Sequence, residues 1–275
     1  MFQAGAGFRS PLPPDQDADR DGISDSEEAA LAARYAPIVT LPRDDSTRPA
    51  SLAWLSARLP VALGDRDDAR VANELRHIPA KVRHGSDNPA DWVTYVHVYP
   101  ARDGGILVQY WFFYPYNDGP LWFDHETDWE HITVSLDANR KPLGVYAARH
   151  HDNAPGKWRA WDRLRKFDGT HPEILSAKGS HASYFDLDDV GWQDAAAWCE
   201  HLGGPCVHEQ WHTWESGGLV NLGERQAPAD SPAMHHRGLW GSAGILPGTS
   251  APSSPPSQRG WCAKGGPACG NAAVL

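Results

Sequence analysis

Apolar and polar positions divide the chain into a helical beginning and a stranded remainder. Ser24 stands three residues before Glu27, a capping-box spacing, and predicts a helix over 25–35 that Pro37 ends. Thr47-Arg48-Pro49 reads as a second helix start, with Leu52, Leu55 and Leu59 at helical spacing behind it. Further on, the pattern becomes that of strands. Residues 92–99 and 106–116 are aromatic and β-branched, and 129–136 alternates cleanly. Residues 143–148 follow across a Lys-Pro turn; 172–177 and 181–185 are shorter candidates, and 188–201 reads as a short helix. The sum is a mainly β protein, an antiparallel β-sandwich of jelly-roll type with a few peripheral helices and long loops. Residues 1–14 read as a flexible Gly/Pro-rich N-terminus, 15–36 as an acidic loop and helix, and 37–246 as the sandwich domain. Residues 247–275 read as a Pro/Ser-rich linker and cysteine-containing tail.

Composition narrows the function more than the fold. Of 275 residues, 41% are hydrophobic and 22% charged, an ordinary globular balance for one large domain with small appendages. Thirteen tryptophans are not ordinary, and both core packing and a recognition or membrane-interface surface account for them. A net charge of −10 argues against a nucleic-acid partner and suits a cation binder. No apolar run approaches the ~18 residues that span a bilayer. Residues 1–8 lack the charged start and apolar core of a signal peptide. Four cysteines form two pairs of equal spacing, Cys199 with Cys206 and Cys262 with Cys269, each bracketing Gly-Pro. Such turns bring nearby cysteines within disulfide reach, which implies an oxidising, secreted or extracytoplasmic setting.

The segment 17–28 carries the clearest chemistry. Asp17, Asp19, Asp21 and Asp25 fall at positions 1, 3, 5 and 9, with Gly22 at 6 and Glu28 at 12. Calcium takes six to eight oxygens, which this spacing supplies, with the Ile23 carbonyl as a further ligand and Gly22 allowing the sharp turn. The pattern departs from an EF-hand in having Ser24 at position 8 and prolines in place of a preceding helix. A structural calcium ion that ties down the N-terminal arm is expected.

A second constellation opens the strand at 129–136. Residues two apart share a strand face, so Asp128 and Glu130 lie on the apolar side with Ile132, Val134 and Leu136. Buried carboxylates need a cation, basic partners or protons. His125 lies one loop earlier, and Asn117 and Asp118 end the preceding strand. Hard oxygens with one imidazole suit Mg2+, Ca2+ or Mn2+, with Zn2+ also open.

The residues Gln109-Tyr-Trp-Phe-Phe-Tyr-Pro-Tyr-Asn117, Asp128-Trp-Glu-His-Ile-Thr-Val134 and Gly179-Ser-His-Ala-Ser-Tyr184 resemble the vacuolar protein sorting-associated protein 62 family. The match runs in order over about residues 30–190. The His125…Asp128-Trp129-Glu130 block is also similar to the central heptapeptide of necrosis- and ethylene-inducing-like proteins. Those are secreted β-sandwich cytolysins that hold a divalent cation there and engage sphingolipid headgroups. The resemblance implies metal ligands at His125, Asp128 and Glu130, with a further acidic ligand near Asp118. That family's heptapeptide begins Gly-His-Arg-His, whereas here the residues are Asp124-His125-Glu126-Thr127. The missing basic residue and second histidine bear on cytolytic activity more than on the metal. His150, His151, His171 and His181 follow in later loops, and His181 lies within the third family-like motif.

Three functions remain open. The first is a secreted or exported, metal-dependent and toxin-like binding protein for a polar lipid headgroup, glycan or small molecule, acting at a membrane surface. The second is a metal-dependent hydrolase or lyase on the same site, with His181 or His150 as acid/base. The third is a zinc protease, because His208-Glu209-Gln210-Trp211-His212 matches HExxH. That motif needs a helix, and glycines on both sides leave it barely three turns.

Overall fold

The computed structural model describes residues 16–60, 62–63, 65, 67–101, 103–119, 123–149, 154–190, 207–223, 232–246 and 248–262. The N-terminal helix α1 spans Asp25–Tyr35, as its capping pattern predicts; the Ser24 hydroxyl accepts the Glu27 N–H at 3.3 Å. The carboxylate of Glu27 turns instead to Arg140 Nε at 2.6 Å, so α1 is clipped to a distant hairpin. The second helix, α2 (Leu52–Ser56), is shorter than expected and starts at Ser51, whose hydroxyl accepts the Trp54 N–H at 3.0 Å. Thr47 does not begin it, because the Asp45 carboxylate captures the Thr47 N–H at 3.0 Å and holds that backbone in a turn. Helices α3 (Asp68–Arg76) and α4 (Ala80–Arg83) were not anticipated. A last short helix, α5, spans Pro232–His235.

Strands dominate, in two sheets. One contains β1 (Ile38–Pro42), β7 (Lys166–Phe167), β8 (His171–Ser176), β9 (Ser183–Tyr184) and β10 (His208–His212), ordered β10-β1-β8-β7 with β9 on β8. The other contains β2 (Thr94–Pro100), β3 (Ile106–Asn117), β4 (His125–Leu136), β5 (Pro142–Arg149), β6 (Ala154–Ala160) and β11 (Leu219–Asn221), ordered β11-β2-β3-β4-β5-β6. The meander β2 to β6 is antiparallel, as expected. Both sheets are nevertheless mixed: β1 runs parallel to β8, and β11 parallel to β2. Segments remote in sequence make these pairings, so no hairpin forces them antiparallel.

The layers follow from side-chain alternation. Val96, Val108, Tyr110, Phe112, Ile132, Val134 and Val145 of the six-stranded sheet pack against Val39, Ile174 and Trp211 of the other, with Ile23, Leu31 and Tyr35 closing one end. On the opposite face, Tyr95, Trp111, Phe113 and Trp129 meet Leu55, Leu75, Val82 and Trp240. The centre of the six-stranded sheet is therefore buried on both faces, and β3 reads as a nearly unbroken apolar run. Tryptophan is core material: none of the described tryptophans is exposed.

The expected linker after residue 247 is instead packed where it is described. Ala251 and Ser254 are buried, Trp240 Nε1 donates to Ser254 Oγ at 2.8 Å, and Gln109 holds both Gly260 O and Cys262 N. Prolines suit such a strap because it runs over the sheet without joining a ladder. Residues 1–14 and most of the helix expected over 188–201 lie outside the described residues. So do Cys199, Cys206 and Cys269, and with them both cysteine pairings.

Candidate cation and acid–imidazole sites

The N-terminal loop folds as its spacing requires. Arg20 and Gly22 take left-handed backbone, φ 64° and 99°. The Asp21 and Gly22 N–H groups donate to the two Asp17 oxygens at 3.1 and 3.0 Å, and Ile23 N–H donates to Asp21 Oδ1 at 2.8 Å. These bonds curl the backbone around its own carboxylates. Among the described residues, Asp17, Asp19 and Asp21 form the one His/Cys/Asp/Glu group of three whose ligand atoms all lie within 4.8 Å of one another. Crowding raises Asp19 to about 6, through burial first and the charge of Asp21 next. Buried Asp25 has one oxygen, Oδ2, without a hydrogen bond among the described residues, as does Asp21. Glu28 is buried and accepts from Asn221 Nδ2 at 2.8 Å, which ties the loop to β11. Hard oxygens so gathered and under-satisfied fit calcium.

The second site assembles where four segments meet at the start of β4. Asp128 and Glu130 are almost fully buried, on the face that also carries Ile132 and Val134. His181 arrives from the turn after β8; its Nδ1–H donates to Asp128 Oδ2 at 2.9 Å. Its Nε2 lies 3.9 Å from Asp45 Oδ2, and its ring stacks on Tyr114 at 3.8 Å and 6°. Asp45 is pinned by Thr47 N–H and by Gly179 N–H at 2.9 Å. Gly179 has φ 79°, and a Cβ there would sit 2.2 Å from Asp118 O, so only glycine fits. His181 itself has φ 52°, a costly conformation for a non-glycine residue that this packing imposes. Burial, then the charges of Asp45, Asp128 and Glu130, push the Tyr114 hydroxyl well above its ordinary range.

His125 does not join Asp128 and Glu130 at ligand distance. Its Nδ1–H donates to Thr127 O at 2.9 Å, and its Nε2 accepts from Asn117 Nδ2 at 3.0 Å. A carbonyl on Nδ1 fixes the tautomer, and the Nε2 lone pair is taken by the Asn117 amide. Thr127, with φ 51°, sets His125 apart from the acids. Asp118 is exposed and accepts from Ser46 Oγ at 2.5 Å. His171 is engaged elsewhere, donating to Ala36 O at 2.7 Å, while His150 and His151 lie outside the described residues. Asp45 was missed: it belongs to no strand pattern or motif, and only the tertiary fold brings it to His181.

The HExxH reading is overturned. His208–His212 is strand β10, paired antiparallel with β1 from Pro42↔His208 to Ile38↔His212. Along a strand, positions four apart stand ~13 Å apart, too far for two imidazoles to share one zinc. The segment supplies the hydrogen bonds that one edge of β1 requires, which a helix cannot. Glu209 is consumed by an ion pair with Arg48.

Fold and sites define a two-sheet, mainly β protein with an acidic N-terminal loop and a buried acid–imidazole centre. The protein resembles the vacuolar protein sorting-associated protein TDA6 of Saccharomyces cerevisiae, 24% identical over 194 residues, which cover 58% of this chain and 39% of that protein. The chain thus spans about two fifths of the length of that curated relative. No family model matches the chain. Solved structural neighbours are necrosis- and ethylene-inducing proteins. One is NLPPya in complex with mannosamine (17% identity, TM-score 0.43, covering 86% of this chain and 89% of that one). Another is Necrosis and Ethylene inducing Protein 2 from the causal agent of cocoa's Witches Broom disease (18%, 0.38, 70% and 80%).

Proposed function

We propose that the protein is a divalent-cation-dependent recognition protein that acts outside the cytoplasm. The N-terminal loop holds a structural calcium ion. A second cation is held by the buried Asp128 and Glu130, and the protein recognises a polar lipid headgroup or glycan. One observation carries this reading: Asp45, Asp128 and Glu130 are buried around one imidazole and one phenol. Carboxylates gathered in such surroundings are costly to bury without positive charge close by. Their hard oxygens suit Mg2+, Ca2+ or Mn2+. The test is elemental analysis of the purified protein together with binding to a glycan array and to headgroup-bearing vesicles, with and without chelator. Metal bound in proportion to protein, lost in Asp128→Asn together with ligand binding, is the expected result. Metal-free protein that binds its ligand equally well in chelator overturns the reading.

A second reading, a metal-dependent hydrolase or lyase, draws support from the Asp128–His181 pair, since a carboxylate that orients Nδ1 leaves Nε2 as a base. Turnover of a bound ligand, lost in His181→Gln with the metal retained, selects it.

A further inference from the structure

The acidic N-terminal loop is not a free-standing turn. Next to Asp17, Asp19 and Asp21 stand two buried carboxylates of α1, Asp25 (4% exposed) and Glu28 (2%). Asp25 Oδ1 accepts the Ala18 N–H at 2.9 Å, which turns this carboxylate toward the loop, and its Oδ2 has no hydrogen-bond partner among the described residues. A carboxylate oxygen is costly to bury unanswered, and a cation in the loop answers it. The loop also meets a segment far along the chain. Asn221, 193 residues beyond Glu28, donates from Nδ2 to Glu28 Oε2 at 2.8 Å, and its Oδ1 accepts the Gly223 N–H at 3.0 Å. Gly223 comes so close to the loop that a Cβ there would lie 2.7 Å from Asp19 Oδ2. Between the two, Leu222 N–H donates to Val96 O at 2.7 Å, which continues the parallel ladder of β11 on β2.

We propose that the loop and the end of β11 form one calcium clasp: the ion that gathers Asp17, Asp19 and Asp21 also holds β11 on the six-stranded sheet. This rests on the calcium reading of the loop above and adds to it what the ion controls. β11 is three residues long and stands at one end of its sheet. So short a strand, paired on one side, belongs to the parts of a fold that open locally at low cost. Without a cation, three carboxylates whose ligand oxygens lie within 4.8 Å of one another repel. Asp19 then swings away from Gly223, the loop loosens under Glu28, and the Asn221 bond goes with it. With the ion bound, Asp19 is fixed against Gly223, and Glu28 holds Asn221 in place. Calcium thereby keeps the edge of β2 covered, an edge whose backbone groups are otherwise open to pairing with another chain. The clasp lies three strands away from the acids of β4, so the two centres act independently.

The experiment measures hydrogen exchange at single amides of the full chain, in calcium and in chelator. If β11 opens only when the ion has left, the Leu222 and Gly223 N–H groups slow by about 100-fold at a calcium excess of a hundred times Kd. The amides of β4 are expected to exchange alike in both conditions. Slowing of Gly22 and Ile23 in the loop, with Leu222 and Gly223 unmoved, overturns the clasp and leaves the calcium reading standing. Equal slowing in β4 and β11 makes the ion a brace of the whole fold and also overturns the clasp. No response at any amide, with no calcium uptake by calorimetry, overturns the calcium reading itself. Gly223→Ala tests the coupling from the other side. In chelator, Asp19 Oδ2 is the end of a flexible side chain and yields to the new methyl, so the melting temperature is expected to stay the same. Once the ion holds Asp19 it cannot yield, and because coupling is reciprocal, calcium affinity is expected to fall at least ~5-fold. An affinity equal to that of the wild type overturns the clasp. The wild-type exchange comparison needs no substitution, so it decides the matter even if the alanine variant folds poorly.

Discussion

The two acidic centres are built in opposite ways. The N-terminal loop draws its carboxylates from twelve consecutive residues, and its own backbone N–H groups hold them in place. The centre at β4 draws Asp45, Asp128, Glu130 and His181 from segments spread over about half of the chain. The loop is half exposed and its carboxylates lie close together. The centre is sealed in the sandwich, where every charge must be answered by a neighbour. A local site costs little to rearrange; a long-range site is part of the core and fails with it.

The sharpest way to break the comparison is to remove a charge from each centre. Asp128→Ala leaves His181 without its Nδ1 partner and opens a gap beside the buried Glu130 and Asp45. It is expected to destabilise the fold by on the order of 3–5 kcal/mol, read as a shift in denaturant midpoint. A loss below ~1 kcal/mol makes the centre as dispensable as a surface loop and erases the contrast.

A long-range assembly on the opposite sheet face tests the same idea through pH. His97, Gln109 and Thr133 lie in one cross-strand row, and Gln109 holds residues 260–262. His97 stacks on Trp261 at 3.8 Å and His131 on Trp111 at 4.1 Å. Burial pushes His97 down to about 4 and His131 to about 3. Both are therefore neutral when folded and take up protons near pH 6.5 when unfolded. Their contribution is full above pH 6.5 and is lost as pH falls from there toward 4 and 3. For His97 alone the loss by pH 4 is roughly 3 kcal/mol. Denaturation midpoints measured from pH 7.5 to 4 are expected to fall, less steeply in His97→Gln. A slope equal in the variant and the wild type assigns the acid lability to other groups.

How much was legible follows the same division. The clustering of the loop's aspartates, the α1 cap and the antiparallel meander are encoded locally, in spacings of two to twelve residues, and the sequence shows them. The shared face of Asp128 and Glu130 was legible because strand alternation is also local. Asp45, the bracketing of His181 and the parallel pairings of β1 and β11 were not. They depend on segments meeting across more than fifty residues, and no period marks them. The 247–260 stretch misled for a related reason: proline and serine have the composition of a linker, while packing against Trp240 and Gln109 decides its structure.

On the local side, Asp17→Ala with Asp21→Ala is expected to abolish any rise in melting temperature that calcium gives the wild type. Binding only to the native state stabilises it by ~2.7 kcal/mol at a ligand excess of a hundred times Kd. The variant in calcium and the wild type in chelator then melt together, with the centre at β4 intact. Equal melting of the wild type in calcium and in chelator removes the loop from the comparison.

The smallest effect belongs to Glu209. It sits where a zinc protease would carry its general base, yet it lies on β10 and faces Arg48. Arg48 also donates to the carbonyls of Pro42 and Arg43, so the guanidinium keeps partners when the carboxylate is gone. The pair is partly exposed, and such pairs contribute little because water screens them. Glu209→Gln is therefore expected to shift stability by no more than ~1 kcal/mol and to leave metal content and ligand binding unchanged. The informative experiment sets it beside Glu130→Ala, a carboxylate of the same type on a buried strand. If Glu209→Gln removes metal or activity while Glu130→Ala spares both, the functional centre lies on the five-stranded sheet, and the acids of β4 are structural.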